Sequence, residues 1–134
     1  MRWLQRIGVR WLGRKQPLPK LIMVGIDTHC YQLAQALIQQ READIIAFID
    51  DEPWTNRTEL LGAKVYYPSD MVALVMRNEV QLIVDFAQSN MVPESIKAEL
   101  EALPVQQLCL TEKATGADLA LWREQVLQCL ASSK

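Results

Sequence analysis

Lys20-Leu21-Ile22-Met23-Val24-Gly25-Ile26-Asp27-Thr28-His29-Cys30 is the stretch that decides the fold of this chain. Its first part is a short apolar run with the length of a buried strand, and Tyr31 to Gln40 reads as the helix that follows. A strand–turn–helix unit that holds a dinucleotide carries G-x-G-x-x-G at this turn. The first glycine permits the tight turn, the second lets backbone approach a pyrophosphate, and the third lets helix and strand pack closely. Here only Gly25 stands, and Asp27 and Cys30 occupy the places of closest approach. The Asp27 carboxylate is expected to cap the helix start, using the same N–H donors that a phosphate would use.

Outward from this unit the pattern alternates. Strand-like runs cover 21–25, 45–49, 64–67, 82–86 and 105–110, and helical stretches cover 29–41, 69–78, 93–102 and 117–131. Leu33, Ala34, Leu37 and Ile38 give the first helix an apolar face, as do Leu119, Trp122, Val126, Leu127 and Leu130 in the last. Strands alternating with helices imply βαβ units, a parallel sheet and helices on both faces. Residues 50–63 form the longest break and are rich in turn formers.

The chain has 134 residues, half of them hydrophobic, which suits one domain with a core of its own. No run reaches the roughly 18 apolar residues of a membrane span, and the first residues lack the apolar core of a secretory signal. A cytoplasmic location is expected, peripheral at the inner membrane if the first residues meet lipid. Cys30, Cys109 and Cys129 lie far apart and read as buried thiols. With one histidine in the chain, no metal site is expected. The net charge of −2 hides a division: residues 1–20 carry six bases and no acid, while the rest carries eight bases against sixteen acids. An acidic body is a poor partner for nucleic acid, and none is expected. The leader, residues 1–15, reads as a basic amphipathic helix. Trp3, Leu4, Ile7 and Trp11 share one face, beside a stripe of Arg2, Arg6 and Arg10. Trp3, Arg6, Ile7, Arg10 and Trp11 would meet an anionic membrane surface or a partner, or dock on the domain itself. Residues 16–20, with Pro17 and Pro19, read as a stiff linker to the domain at 21–134.

Several positions could carry a ligand. Asp50 ends the second strand, where an acid binds a ribose hydroxyl in dinucleotide folds, or else belongs to a polar turn with Asp51. His29 faces the carboxyl ends of the strands, either to bond a ligand or as a surface or capping residue. Ser89 and Asn90 follow the fourth strand beside the same crevice, to hold a ligand or to satisfy backbone donors before the helix near Pro93. Asp85 is an acid in an apolar strand, turned inward or hydrogen-bonded. Trp54, Asn56 and Arg57 lie in the long loop, as a clamp for a base or a protein, or as a lid over the sheet edge. No P-loop, nucleophile elbow or metal cluster is visible.

At Val24-Gly25-Ile26-Asp27, Leu33-Ala34-Gln35-Ala36-Leu37, Phe48-Ile49-Asp50-Asp51-Glu52-Pro53 and Leu61-Gly62-Ala63-Lys64-Val65-Tyr66, the chain resembles a known family. This is the Rossmann-like, CoA-binding-like N-terminal domain of bacterial nucleoside-diphosphate-sugar epimerases and dehydratases of polysaccharide biosynthesis. It is also similar to the N-terminal domain of sugar O-acyltransferases, whose glycine-rich turn carries a histidine, matched here by His29. The resemblance covers roughly residues 20–112. It implies a three-layer sandwich with a five-stranded parallel sheet in the order 3-2-1-4-5. In that family the module precedes a separate catalytic domain, so only the binding-type positions Gly25, His29 and Asp50 carry over. The expected function is that of a non-catalytic module acting through a protein partner or as a homo-oligomer. The alternative is a domain that binds or senses a nucleotide or nucleotide sugar in surface-polysaccharide synthesis. No cofactor is firmly implied beyond weak nucleotide, nucleotide-sugar or CoA binding.

Overall fold

A computed structural model describes residues 17–111 and 118–132. The basic helix expected over residues 1–15, with Trp3, Arg6, Ile7, Arg10 and Trp11, lies outside the described residues. The strands are β1 (Lys20–Val24), β2 (Asp44–Ile49), β3 (Glu59–Leu60), β4 (Ala63–Tyr66), β5 (Leu82–Phe86) and β6 (Gln106–Leu110). The helices are α1 (Thr28–Gln39), α2 (Met71–Asn78), α3 (Glu94–Glu101) and α4 (Asp118–Ser132), and a 3-10 turn at Pro68–Asp70 leads into α2.

The sheet runs β3-β4-β2-β1-β5-β6. Every pair is parallel except β3 with β4. Among the described residues the expected five strands are therefore six, because the long break contains a two-residue antiparallel strand at the sheet edge. Leu61 and Gly62, at φ of 53° and 85°, turn the chain back so that Leu60 pairs with Ala63.

Side chains alternate across β1 and sort the core into two layers. Leu21 and Met23 join Phe48, Leu82, Val84 and Phe86 under α1 and α4, where Leu33, Leu37, Trp122 and Val126 are buried. Ile22 and Val24 join Ala47, Ile49 and Ile83 on the other face, covered by Met71, Leu74, Val75 and Leu100. β2 breaks the alternation because its register with β1 shifts by one residue, Leu21 facing Ile45 and Ile22 facing Ala47. Ile46 and Ala47 thus both face the second layer. Arg123 of α4 makes a two-pronged ion pair with Glu42, tying α4 to the segment after α1. That carboxylate holds the Arg123 guanidinium above its ordinary value, chiefly through the hydrogen bond. Among the described residues no helix is long and apolar enough to cross a membrane, and no group of His, Cys, Asp and Glu is placed to hold a metal.

Candidate functional site

The β1–α1 turn is built on Gly25. Its φ of +113° is a conformation that side-chain-bearing residues rarely adopt, and its N–H donates to Ile49 O at 2.8 Å. A Cβ at this position would lie 2.8 Å from Cys30 Sγ, and that thiol donates to Val24 O at 3.6 Å. Cys30 can therefore stand where a glycine would allow close packing, because its sulfur uses the space that Gly25 leaves.

Asp27 is the N-cap residue by position, and its carbonyl accepts the first helical bond from Tyr31 N–H at 2.9 Å. Its side chain makes no capping hydrogen bond, contrary to the sequence expectation. The carboxylate turns outward, 67% exposed, with Oδ2 3.7 Å from His29 Nε2. The imidazole explains that direction. His29 is partly buried, its side chain 20% exposed; its ring sits edge-on to Phe86 at 4.5 Å and tilted to Trp122 at 5.9 Å. Phe86 and Trp122 are themselves in edge contact at 5.0 Å, and Trp122 Nε1 donates to Thr111 O. A ring so held presents Nε2 toward Asp27, and the two form an ion pair whenever the imidazole is protonated.

Gly25, Asp27, His29, Phe86, Gln88 and Ser89 line a cleft of about 240 Å³ at the carboxyl ends of β1 and β5. This is the crevice position for ligands in open parallel sheets. Among the described residues its lining holds an acid and a histidine but no lysine or arginine.

Of the residues singled out from the sequence, Gly25, Asp27, His29 and Ser89 come together here, while Asp50 and Asn90 are not part of the lining. Ser89 Oγ donates to Asp85 Oδ1 at 2.6 Å, and the same oxygen accepts Phe86 N–H at 2.7 Å. Asp85 is thus the acceptor that closes the turn after β5. Asn90 is exposed and takes a left-handed φ of 47°, as a turn residue does. Asp50 is 8% exposed, and its Oδ2 accepts the Thr55 hydroxyl at 2.7 Å. It folds the loop after β2 instead of facing the crevice. Sequence reasoning missed Thr55, whose spacing from Asp50 carries no familiar motif. It also placed Trp122 only on an apolar helix face, without its ring beside His29.

The loop after β2 has its own order. Thr55 Oγ1 also donates to Glu52 O, Thr58 Oγ1 donates to Thr55 O, and Arg57 N–H donates to Val65 O. On this fixed turn Trp54 stands 75% exposed, so it is no lid over the sheet edge. Arg57 instead lies over the Tyr66 ring, 5.2 Å from its centroid.

No protein-family model matches the sequence, and no curated protein matches it. Among solved structures the chain is similar to UDP-D-quinovosamine 4-dehydrogenase from Vibrio fischeri. The TM-score is 0.58 and the identity 24%, over 79% of this chain and 86% of that one. It is also similar to RSP, a Rex-family repressor, with a TM-score of 0.57 and 10% identity over 98% of this chain and 69% of that one. RSP in complex with β-NAD+ and operator DNA gives 0.55 and 12%, over 96% and 68%. At such identities the likeness shows the fold, a Rossmann-like α/β sandwich.

Proposed function

We propose that this chain is a non-catalytic Rossmann-like module that acts through a protein partner, with Trp54 as the anchor of the contact. The observation that carries this reading is Trp54 itself, 75% exposed on a loop pinned by the buried Asp50 and by Thr55. A large aromatic held in water by an ordered turn loses little conformational freedom on docking, and such residues dominate interface energies. Asp50, the position that would bind a ribose, is used to build that turn. At the β1–α1 turn the exposed Asp27 carboxylate disfavours a diphosphate, so nucleotide binding is weak. A photo-crosslinking residue at the exposed Glu52 of the same loop, with Trp54 kept, should trap one discrete partner, or a second copy of this chain, in cells that make it. The same probe at the exposed Glu124 on α4 should not. Equal, diffuse labelling from both positions rejects the reading.

A second reading makes occupancy of the crevice itself the function: a nucleotide or nucleotide-sugar sensing domain in bacterial surface-polysaccharide synthesis. The favouring observation is the preserved Gly25 turn opening into a cleft beside His29, supported by the likeness to a UDP-sugar dehydrogenase across most of both chains. A thermal-shift series with UDP-sugars, NAD, NADP and CoA tests it, since a ligand of the folded state raises stability by RT ln(1 + [L]/Kd). Silence across the series at millimolar ligand rejects it. In either reading the protein works in the cytoplasm, without nucleic acid. Its first fifteen residues rest on the inner membrane through Trp3, Arg6, Ile7, Arg10 and Trp11. Co-sedimentation with anionic vesicles, lost on deleting residues 1–15 and weakened by salt, is the expected outcome for that contact.

A further inference from the structure

We infer that a second site, distinct from the Gly25 crevice, binds a phosphate-type oxyanion between Arg57 and Arg77. The two arginines line a cleft of about 380 Å³ with Tyr66, Asp70, Leu74 and Asn78, between the loop after β2, the end of β4 and the outer side of α2. It shares no lining residue with the Gly25 cleft.

The state of the charges points to a ligand. Arg123 is paired with Glu42 and Lys97 with Glu94, but among the described residues neither Arg57 nor Arg77 forms an ion pair with an acid. Asp70, the acid in the lining, is turned to the Tyr67 N–H at 3.2 Å. Asn78 uses one amide hydrogen on Leu74 O, so its second stays available to the cleft. Arg57 is also held in a costly way. It sits at φ +69°, where glycine or asparagine is at ease, its N–H bonded to Val65 O and its guanidinium carbon 5.2 Å from the Tyr66 ring centroid. The ring contact places the exposed Arg57 side chain at the cleft wall, in the same lining as the exposed Arg77. Planar guanidinium forks match phosphate and carboxylate oxygens alike, and a phosphate brings the second negative charge that two arginines can meet.

The test uses the full chain, titrated with inorganic pyrophosphate and followed by calorimetry. Expected is saturable one-to-one binding, weakened at least tenfold in R57G and in R77Q, and unchanged in R41Q, which removes an exposed arginine outside both clefts. Glycine suits the backbone at position 57, so R57G should keep the wild-type melting temperature and isolate the side chain. Competition by UMP traces the phosphate to a nucleotide, and competition by orthophosphate alone traces it to the free anion; either supports the site. Non-saturable binding overturns the inference, as does affinity insensitive to both arginine variants. Malonate binding as tightly as pyrophosphate overturns the choice of phosphate.

Discussion

Replacing Gly25 by alanine perturbs two things at once, and the structure allows them to be separated. The first is backbone strain: at φ +113° an L-residue is held outside its allowed regions, at about 1–3 kcal/mol. The second is the sulfur. The new Cβ would lie 2.8 Å from Cys30 Sγ, so the thiol must turn away and give up its bond to Val24 O. One displaced atom at the end of a short side chain falls at the low end of overpacking costs, about 1 kcal/mol. Gly25→Ala should therefore destabilise by roughly 2–4 kcal/mol in urea unfolding with an unchanged slope. In a cycle with Cys30→Ala, the strain remains and the clash disappears, so the double variant should recover about 1 kcal/mol relative to additivity. A loss below about 1 kcal/mol for the single variant refutes the strain argument. Strict additivity refutes the claim that Cys30 fits only because Gly25 has no side chain.

Thr55→Ala removes the hydroxyl that joins Asp50 to the loop and should cost about 1–2 kcal/mol, with faster amide exchange confined to residues 51–58. Trp54→Ala should leave stability within about 0.5 kcal/mol while abolishing crosslinking from a probe at the exposed Glu52, since the ring buries little in the isolated domain. Asp27→Asn should raise affinity for a UDP-sugar about fivefold, because its exposed carboxylate repels a phosphate at 4 Å by about 1 kcal/mol in water, and calorimetry reads the change. Arg123→Gln should lower the melting temperature, less so in molar salt. Because the guanidinium is held above its ordinary value, the arginine's contribution is fully present below that value, and the loss should be the same at pH 6.5 and pH 8.5.

The strands were readable where burial on both faces makes them continuous apolar runs, as in Leu21–Val24 and Leu82–Val84. β3 was not, because Glu59 and Leu60 form no such run. Its hairpin turn also carries Leu61 where asparagine or aspartate usually announces a left-handed residue. The candidate site divides in the same way. Gly25 announces its turn because only glycine takes that φ at no steric cost. The direction of Asp27 could not be read, since it depends on where His29 goes, and His29 is placed by Phe86 and Trp122 from distant parts of the chain. Asp50 was assigned by position within a motif, and a hydroxyl five residues on claims its oxygen first.

The sheet order also determines when this domain can come into being. β1 lies at the centre, bonded on one side to β2 and on the other to β5, whose Leu82 pairs with Leu21 from about sixty residues downstream. A chain emerging from the ribosome can form the small β3–β4 hairpin locally. Its central strand must wait, apolar on both faces and half-paired, until β5 has been synthesised. Closing so distant a contact is slow, and a waiting apolar strand is open to wrong partners. Nascent chains halted before Leu82 should be digested freely by protease, and those extended past α4 should be protected.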